Sequence, residues 1–200
     1  MALLCMVGTC VPASAETALE TYVRSPDPAY RYELTDTRSS GTGTAYILRM
    51  VSQSWLTPGE VNRTEWWHSV IIHRPKNVQS DAALLFIGGG SNREDDAVNI
   101  EETTARIAEA TQSVVVELRQ VPNQPLVFHH DGVERTEDDL IAYGWNQQLR
   151  GGRDEWLARL PMTKSAVRAM DTVSEFLGKP ENGGMSIDRY VVAGGSKRGW

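Results

Sequence analysis

VVAGGSKRGW, residues 191–200, decides how the rest of the chain is read. A short apolar run opened by Tyr190 passes directly into Gly194 and Gly195, then into Ser196 and the basic pair Lys197 and Arg198. A buried strand that turns sharply at a serine between small residues is the context a nucleophile elbow needs. The glycines let backbone pack closely, and the turn thrusts the hydroxyl out at the carboxyl edge of a sheet. The pattern G-x-S-x-G is not met, because Arg198 holds its last glycine position and Gly199 comes one residue later. A serine in an ordinary glycine-rich strand end is the competing reading, and the stretch alone leaves both open.

A second glycine cluster bears on the choice. FIGGGSNREDD (86–96) ends the apolar run AALLFIG (82–88). A loop after such a strand can donate a backbone N–H to an oxyanion, and Gly88, Gly89, Gly90 and Ser91 present theirs without side-chain obstruction. The N–H of Lys197, the residue after the serine, is the expected second donor. A tight turn without a ligand and a phosphate cradle are the alternatives. Neither cluster fits G-x-x-x-x-G-K-[ST] or G-x-G-x-x-G, which weakens the phosphate reading.

SVVVEL (113–118) is another near-continuous apolar run, the pattern of a strand covered on both faces in a parallel sheet. TAYILRMVSQSW (44–55) and TEWWHSVIIHRP (64–75) are rich in aromatic and β-branched residues and read as an antiparallel pair. Asn99, with Glu102 three residues on and Ile100, Ile107 and Ala108 on one face, reads as a capped crossover helix. PMTKSAVRAMDTVSEFLGKP (161–180) places Met162, Ala166, Val167, Met170, Val173, Phe176 and Leu177 at helical spacing between Pro161 and Gly178. The expected fold is therefore α/β, a mainly parallel sheet with an N-terminal antiparallel strand pair.

The chain of 200 residues, with 40% hydrophobic residues and a net charge of -6, is long enough for one core. Its acids and bases are interspersed, so no basic stripe exists for nucleic acid or anionic lipid. ALLCMVGTCV (2–11) followed by Ala13, Ser14 and Ala15 reads as a signal peptide, although its start carries no Lys or Arg. A fortuitous apolar terminus is the competing reading, and acylation at Cys10 would need a small residue where Thr9 stands. The expected division is residues 1–15 as a signal peptide and 16–200 as one domain that is secreted or periplasmic, without a stable membrane anchor. Both cysteines, Cys5 and Cys10, lie in the segment removed, which excludes cysteine catalysis and disulfides from the mature chain.

The remaining titratable residues read as structural. His68 and His73 read as half-buried or exposed strand histidines, and His129, His130 and Asp131 as a solvated loop, since a metal there needs a third ligand. Asp95–Asp96, Glu101–Glu102 and Asp138–Asp139 read as helix N-terminal or surface charge. No metal and no cofactor is expected.

RTEWWHSVIIHRPKNVQSDAALLFIGGGSN (63–92), VPNQPLVF (121–128), RTEDDLIAYGW (135–145), RLPMTKSAVRAMDTV (159–173) and GGSKRGW (194–200) together resemble the PhoPQ-activated pathogenicity-related protein family. That resemblance implies an α/β-hydrolase fold, Ser196 as nucleophile, and Lys197, Gly89, Gly90 and Ser91 around the oxyanion. It implies association with pathogenicity, envelope stress or extracellular signalling, but no defined substrate. Family members continue beyond the equivalent of Trp200, so the triad acid and histidine are expected after this chain, and residues 1–200 alone are expected to be inactive and unstable. Two function classes follow: a serine esterase-type hydrolase acting on an ester or other small-molecule substrate, and a non-catalytic secreted signalling or defence factor on the same fold.

Overall fold

The computed structural model describes residues 15–93 and 101–199. Helix α1 (Ala18–Arg24) starts on a capping box in which Thr17 and Glu20 satisfy each other's backbone N–H. Strands β1 (Arg31–Ser39), β2 (Gly43–Ser54) and β3 (Glu65–Pro75) form an antiparallel meander. Strand β4 (Ala82–Ile87), helix α2 (Glu102–Thr111), strand β5 (Val115–Leu118), helix α3 (Glu137–Leu149), helix α4 (Arg159–Gly178) and strand β6 (Arg189–Gly194) follow. Six strands make one sheet in the order β1-β2-β3-β5-β4-β6.

The sheet corrects the expectation of a mainly parallel arrangement. β1–β2, β2–β3 and β3–β5 pair antiparallel, and only β4–β5 and β4–β6 pair parallel. The expected antiparallel pair is present but is three strands deep, because the polar segment RYELTDTRS joins it as β1. Strand β3, reversed, also meets β5. The parallel character is confined to the three strands separated by helical crossovers, where chain direction must be regained.

Helices lie on both faces. On one, Thr104 of α2 hydrogen-bonds His73 and Glu117. On the other, α4 sets Ser165 against Ser52 at 3.0 Å and Phe176 edge-on to Tyr46 at 5.1 Å between centroids. That second face carries the main core, in which Leu48, Val70, Leu85, Val116, Ala169 and Leu177 are buried. In α4, Met162, Ala166, Val173, Phe176 and Leu177 are buried as expected, whereas Val167 and Met170 are only half-buried. The expected cap of the crossover helix, Asn99, and its neighbour Ile100 lie outside the described residues; Glu101 stands at the N-cap without a side-chain bond.

Burial also corrects the reading of His68 and His73, which are 0% and 4% exposed. Both sit on β3, which has a strand on each side and helices over both faces, so neither ring reaches water. His68 bridges Ser52 at 3.0 Å and the Arg119 carbonyl at 2.9 Å, and burial pushes its pKa down to about 4.

Candidate functional site

From β4 the chain crosses to β5 on one side, and from β5 it returns through α3 and α4 to β6 on the other side of β4. Connections that leave neighbouring parallel strands in opposite directions open a crevice at their carboxyl ends, the place where α/β proteins bind ligands. Ile87 pairs with Gly194, so the two glycine clusters leave the sheet side by side. The sequence singled out both clusters, and the register brings them together at this crevice.

Ser196 follows β6 at φ 53°, a left-handed conformation that a serine rarely adopts. The side chain is exposed, and residues Ser196–Arg198 form one 3₁₀ turn. Two glycines make the turn possible. A Cβ on Gly194 would stand 2.4 Å from the Arg198 carbonyl oxygen, and one on Gly199 would stand 2.4 Å from the Gly194 carbonyl oxygen. At Gly195 a Cβ would meet nothing within 4 Å. The glycine that G-x-S-x-G puts two places after the serine is thus replaced by Gly199, one place later, which frees the position of Arg198 for a long side chain.

Arg198 uses that position to tie three segments together. Its Nε donates to the Val121 carbonyl at 2.7 Å, and its Nη2 donates to Glu137 at the start of α3. Its guanidinium lies against the glycine loop after β4, where a Cβ on Gly89 would meet Nη2 at 2.5 Å. Lys197 extends the network to Glu137 at 3.5 Å and Asp138 at 3.2 Å, and Arg159 of α4 donates to the Lys197 carbonyl. Glu137 is itself at φ 47°, with its N–H donating to the Gln124 side chain at 2.7 Å and its carboxylate accepting from the same amide at 2.9 Å. Burial works to raise the Glu137 pKa, but the Gln124 amide, Arg198 and Lys197 outweigh it and hold the carboxyl below its ordinary range.

The loop donors named from the sequence are not equivalent. Gly88 N–H is occupied by the Leu118 carbonyl at 2.7 Å, while the carbonyls of Gly88 and Gly89 accept from Val121 and Gln120. Among the described residues, the N–H groups of Gly89, Gly90, Ser91 and Lys197 donate to no protein group. With its carbonyls turned to residues 120 and 121, the loop keeps its remaining donors unspent beside the serine turn. Among the described residues, the Ser196 hydroxyl has no histidine or carboxylate partner. A groove of about 340 Å³ runs beneath the turn, walled by Met162, Ala166, Met170, Val192 and Ala193.

Glu137, Asp138 and Arg159 were not singled out as site residues from the sequence. A weak signal existed: a basic pair beside a turn wedged into a crevice needs carboxylates, and TEDD (136–139) offers three consecutive acids at the start of α3. No spacing links residue 137 to residue 198, so only the fold joins them. His129, His130 and Asp131 are exposed in their loop, and His129 accepts or donates at 2.8 Å to Tyr143 rather than joining Ser196. Among the described residues there is no cluster of three potential metal ligands, and no helix is long and apolar enough to cross a membrane.

Comparison with known proteins gives the chain its relatives. A Dictyostelium discoideum protein named autocrine proliferation repressor protein A is 41% identical over 201 residues, covering 99% of this chain and 40% of that protein. The chain therefore spans well under half the length of this relative. Among solved structures, a Bacteroides fragilis protein described as an acetyl xylan esterase aligns at 11% identity with a TM-score of 0.40, covering 88% of this chain and 44% of the other. The family model of the PhoPQ-activated pathogenicity-related proteins matches residues 19–200. With that match and the 41% identical relative, the chain belongs to the PhoPQ-activated pathogenicity-related protein family.

Proposed function

We propose that this chain carries the nucleophile half of an α/β-hydrolase-type serine esterase, with Ser196 as nucleophile. The observation that carries the reading is the left-handed Ser196 at the carboxyl end of β6, in a turn packed so closely that Gly194 meets the Arg198 backbone and Gly199 meets the Gly194 carbonyl, beside a loop whose Gly89, Gly90 and Ser91 N–H groups are unspent among the described residues. In the proposed reaction the Ser196 oxygen attacks a carbonyl carbon while a base takes its proton. The N–H groups of Lys197 and of Gly89, Gly90 or Ser91 receive the oxyanion. The base and its orienting acid come from polypeptide outside this chain, as the greater length of the Dictyostelium relative allows. The substrate is an ester or a related acyl compound, and no metal or cofactor takes part. Export follows from the apolar segment 2–11 and the small residues 13–15, and the mature protein begins near Glu16.

The name of the Dictyostelium relative favours a second reading, a secreted signalling factor that keeps the fold without the chemistry. Ester turnover by the whole protein separates the two. On the first reading, Ser196→Ala lowers turnover by about four orders of magnitude and leaves the thermal transition in place. On the second, the parent protein turns over no ester above the Ser196→Ala background.

A further inference from the structure

We propose that Glu137 is the positioning residue of this site, holding the serine turn and the oxyanion loop in register through Arg198 and Lys197. This inference rests on the nucleophile reading of Ser196. Three features single out Glu137. Its carboxylate accepts a hydrogen bond from Arg198 and pairs in charge with Lys197, the two side chains that directly follow the serine, and Lys197 also supplies a candidate oxyanion N–H. Its own backbone sits at φ 47°, a conformation that costs energy for a glutamate and persists only when the surroundings impose it. The surroundings here are Gln124, which both donates to the carboxylate and accepts from the N–H, so the acid is fixed from two directions before it meets Arg198.

The consequence for the site is mechanical. Arg198 is trapped between the Val121 carbonyl, Glu137 and the backbone of Gly89. The side chains of Arg198 and Lys197 are 15% and 19% exposed and that of Glu137 is 32% exposed, so the basic side chains are mostly out of water and a guanidinium without a charged partner there would be costly. The neutral variant Glu137→Gln keeps a carbonyl acceptor but removes the negative charge that pairs with both Arg198 and Lys197, which loosens the hold on the Arg198 guanidinium. The turn from Ser196 to Gly199 and the loop at Gly89 both rest on that side chain, so the serine and its oxyanion donors lose their relative placement. Glu137 touches no reacting atom. Its effect falls on the rate of bond formation rather than on the binding of substrate, because misplacement by about 1 Å can cost roughly 100-fold in rate.

The test uses the whole protein and a fluorophosphonate probe, measuring the labelling rate constant at saturating probe and the probe concentration that gives half that rate. Glu137→Gln should slow saturated labelling by about 10- to 100-fold with little change in half-saturation. Glu137→Asp should restore part of the rate, and Glu137→Gln combined with Arg198→Gln should be no slower than Arg198→Gln alone, since both act through one pair. Parental labelling by Glu137→Gln, with labelling abolished in Ser196→Ala, overturns the positioning role and leaves the nucleophile reading standing. Equal labelling of the parent and Ser196→Ala, or none in the parent, overturns the nucleophile reading and this inference with it. If Glu137→Gln lacks a native circular dichroism spectrum, Arg198→Lys takes its place, keeping the charge while losing the fork that spans Val121 and Glu137. Slowed labelling by that variant supports the proposal, and a parental rate overturns it.

Discussion

Ser196 is held by the smallness of residues that are not its immediate neighbours. Gly194 approaches the Arg198 carbonyl and Gly199 approaches the Gly194 carbonyl at distances no Cβ tolerates, while Gly195, directly before the serine, has open space and an ordinary φ of -98°. Alanine at 195 should therefore leave fluorophosphonate labelling of the whole protein within a few-fold of the parent. Alanine at 194 or 199 should displace the turn and slow labelling by about 100-fold. Equal rates for Gly195→Ala and Gly194→Ala would show that the turn yields cheaply. The serine turn was legible in the sequence because its determinants are local: a strand, small residues and a hydroxyl within six positions. The role of Glu137 was not, since it depends on a contact across 61 residues that no pattern encodes. The burial of His68 and His73 was missed for a related reason. The aromatic and β-branched content of TEWWHSVIIHRP marks a strand, but whether each of its faces is covered depends on helices distant in sequence.

The elements divide the same way. β2 and β3 were readable from β-branched and aromatic runs, and β4 and β5 from near-continuous apolar ones. β1 was not, because RYELTDTRS is polar on both faces and becomes a strand only through its register with β2. Its presence is what turns a sheet expected to be mainly parallel into one where antiparallel pairs predominate. β6 is at the opposite edge, and there the sequence and the structure agree on an apolar strand, yet Val191 and Val192 are 62% and 52% exposed. An apolar edge with unpaired backbone groups templates association. Residues 15–199 produced alone should therefore self-associate in sedimentation velocity, and Val191→Lys should reduce that association. A monomer at every concentration tested would contradict the exposed edge as a pairing surface.

At the scale of the molecule, buried titratable groups give the fold a directional response to pH. Burial lowers the pKa of His68 from 6.5 to about 4, so the unfolded chain takes up that proton first as pH falls. Its contribution to stability is complete above 6.5 and declines by about 1.4 kcal/mol per pH unit down to about 4. The carboxyls of Glu117 and Glu137, both held below their ordinary range against the opposing effect of burial, act in the same direction at lower pH. Their contributions are present above the unfolded carboxylate range and are lost as pH falls through the folded values. Urea midpoints of the whole protein should thus fall from neutral pH toward pH 4, and His68→Gln should flatten the upper part of that fall; an unchanged slope would remove His68 from the explanation.

The same molecule-wide arrangement, two glycine loops leaving adjacent parallel strands where the chain reverses its order, is what makes Ser196 the centre of the account. Peptide mapping of the whole protein after reaction with a fluorophosphonate tests that most directly. The phosphonyl adduct should be found on Ser196 and be absent from the Ser196→Ala protein. An adduct on another residue, or equal labelling of the two proteins, would contradict the assignment of Ser196 as the nucleophile.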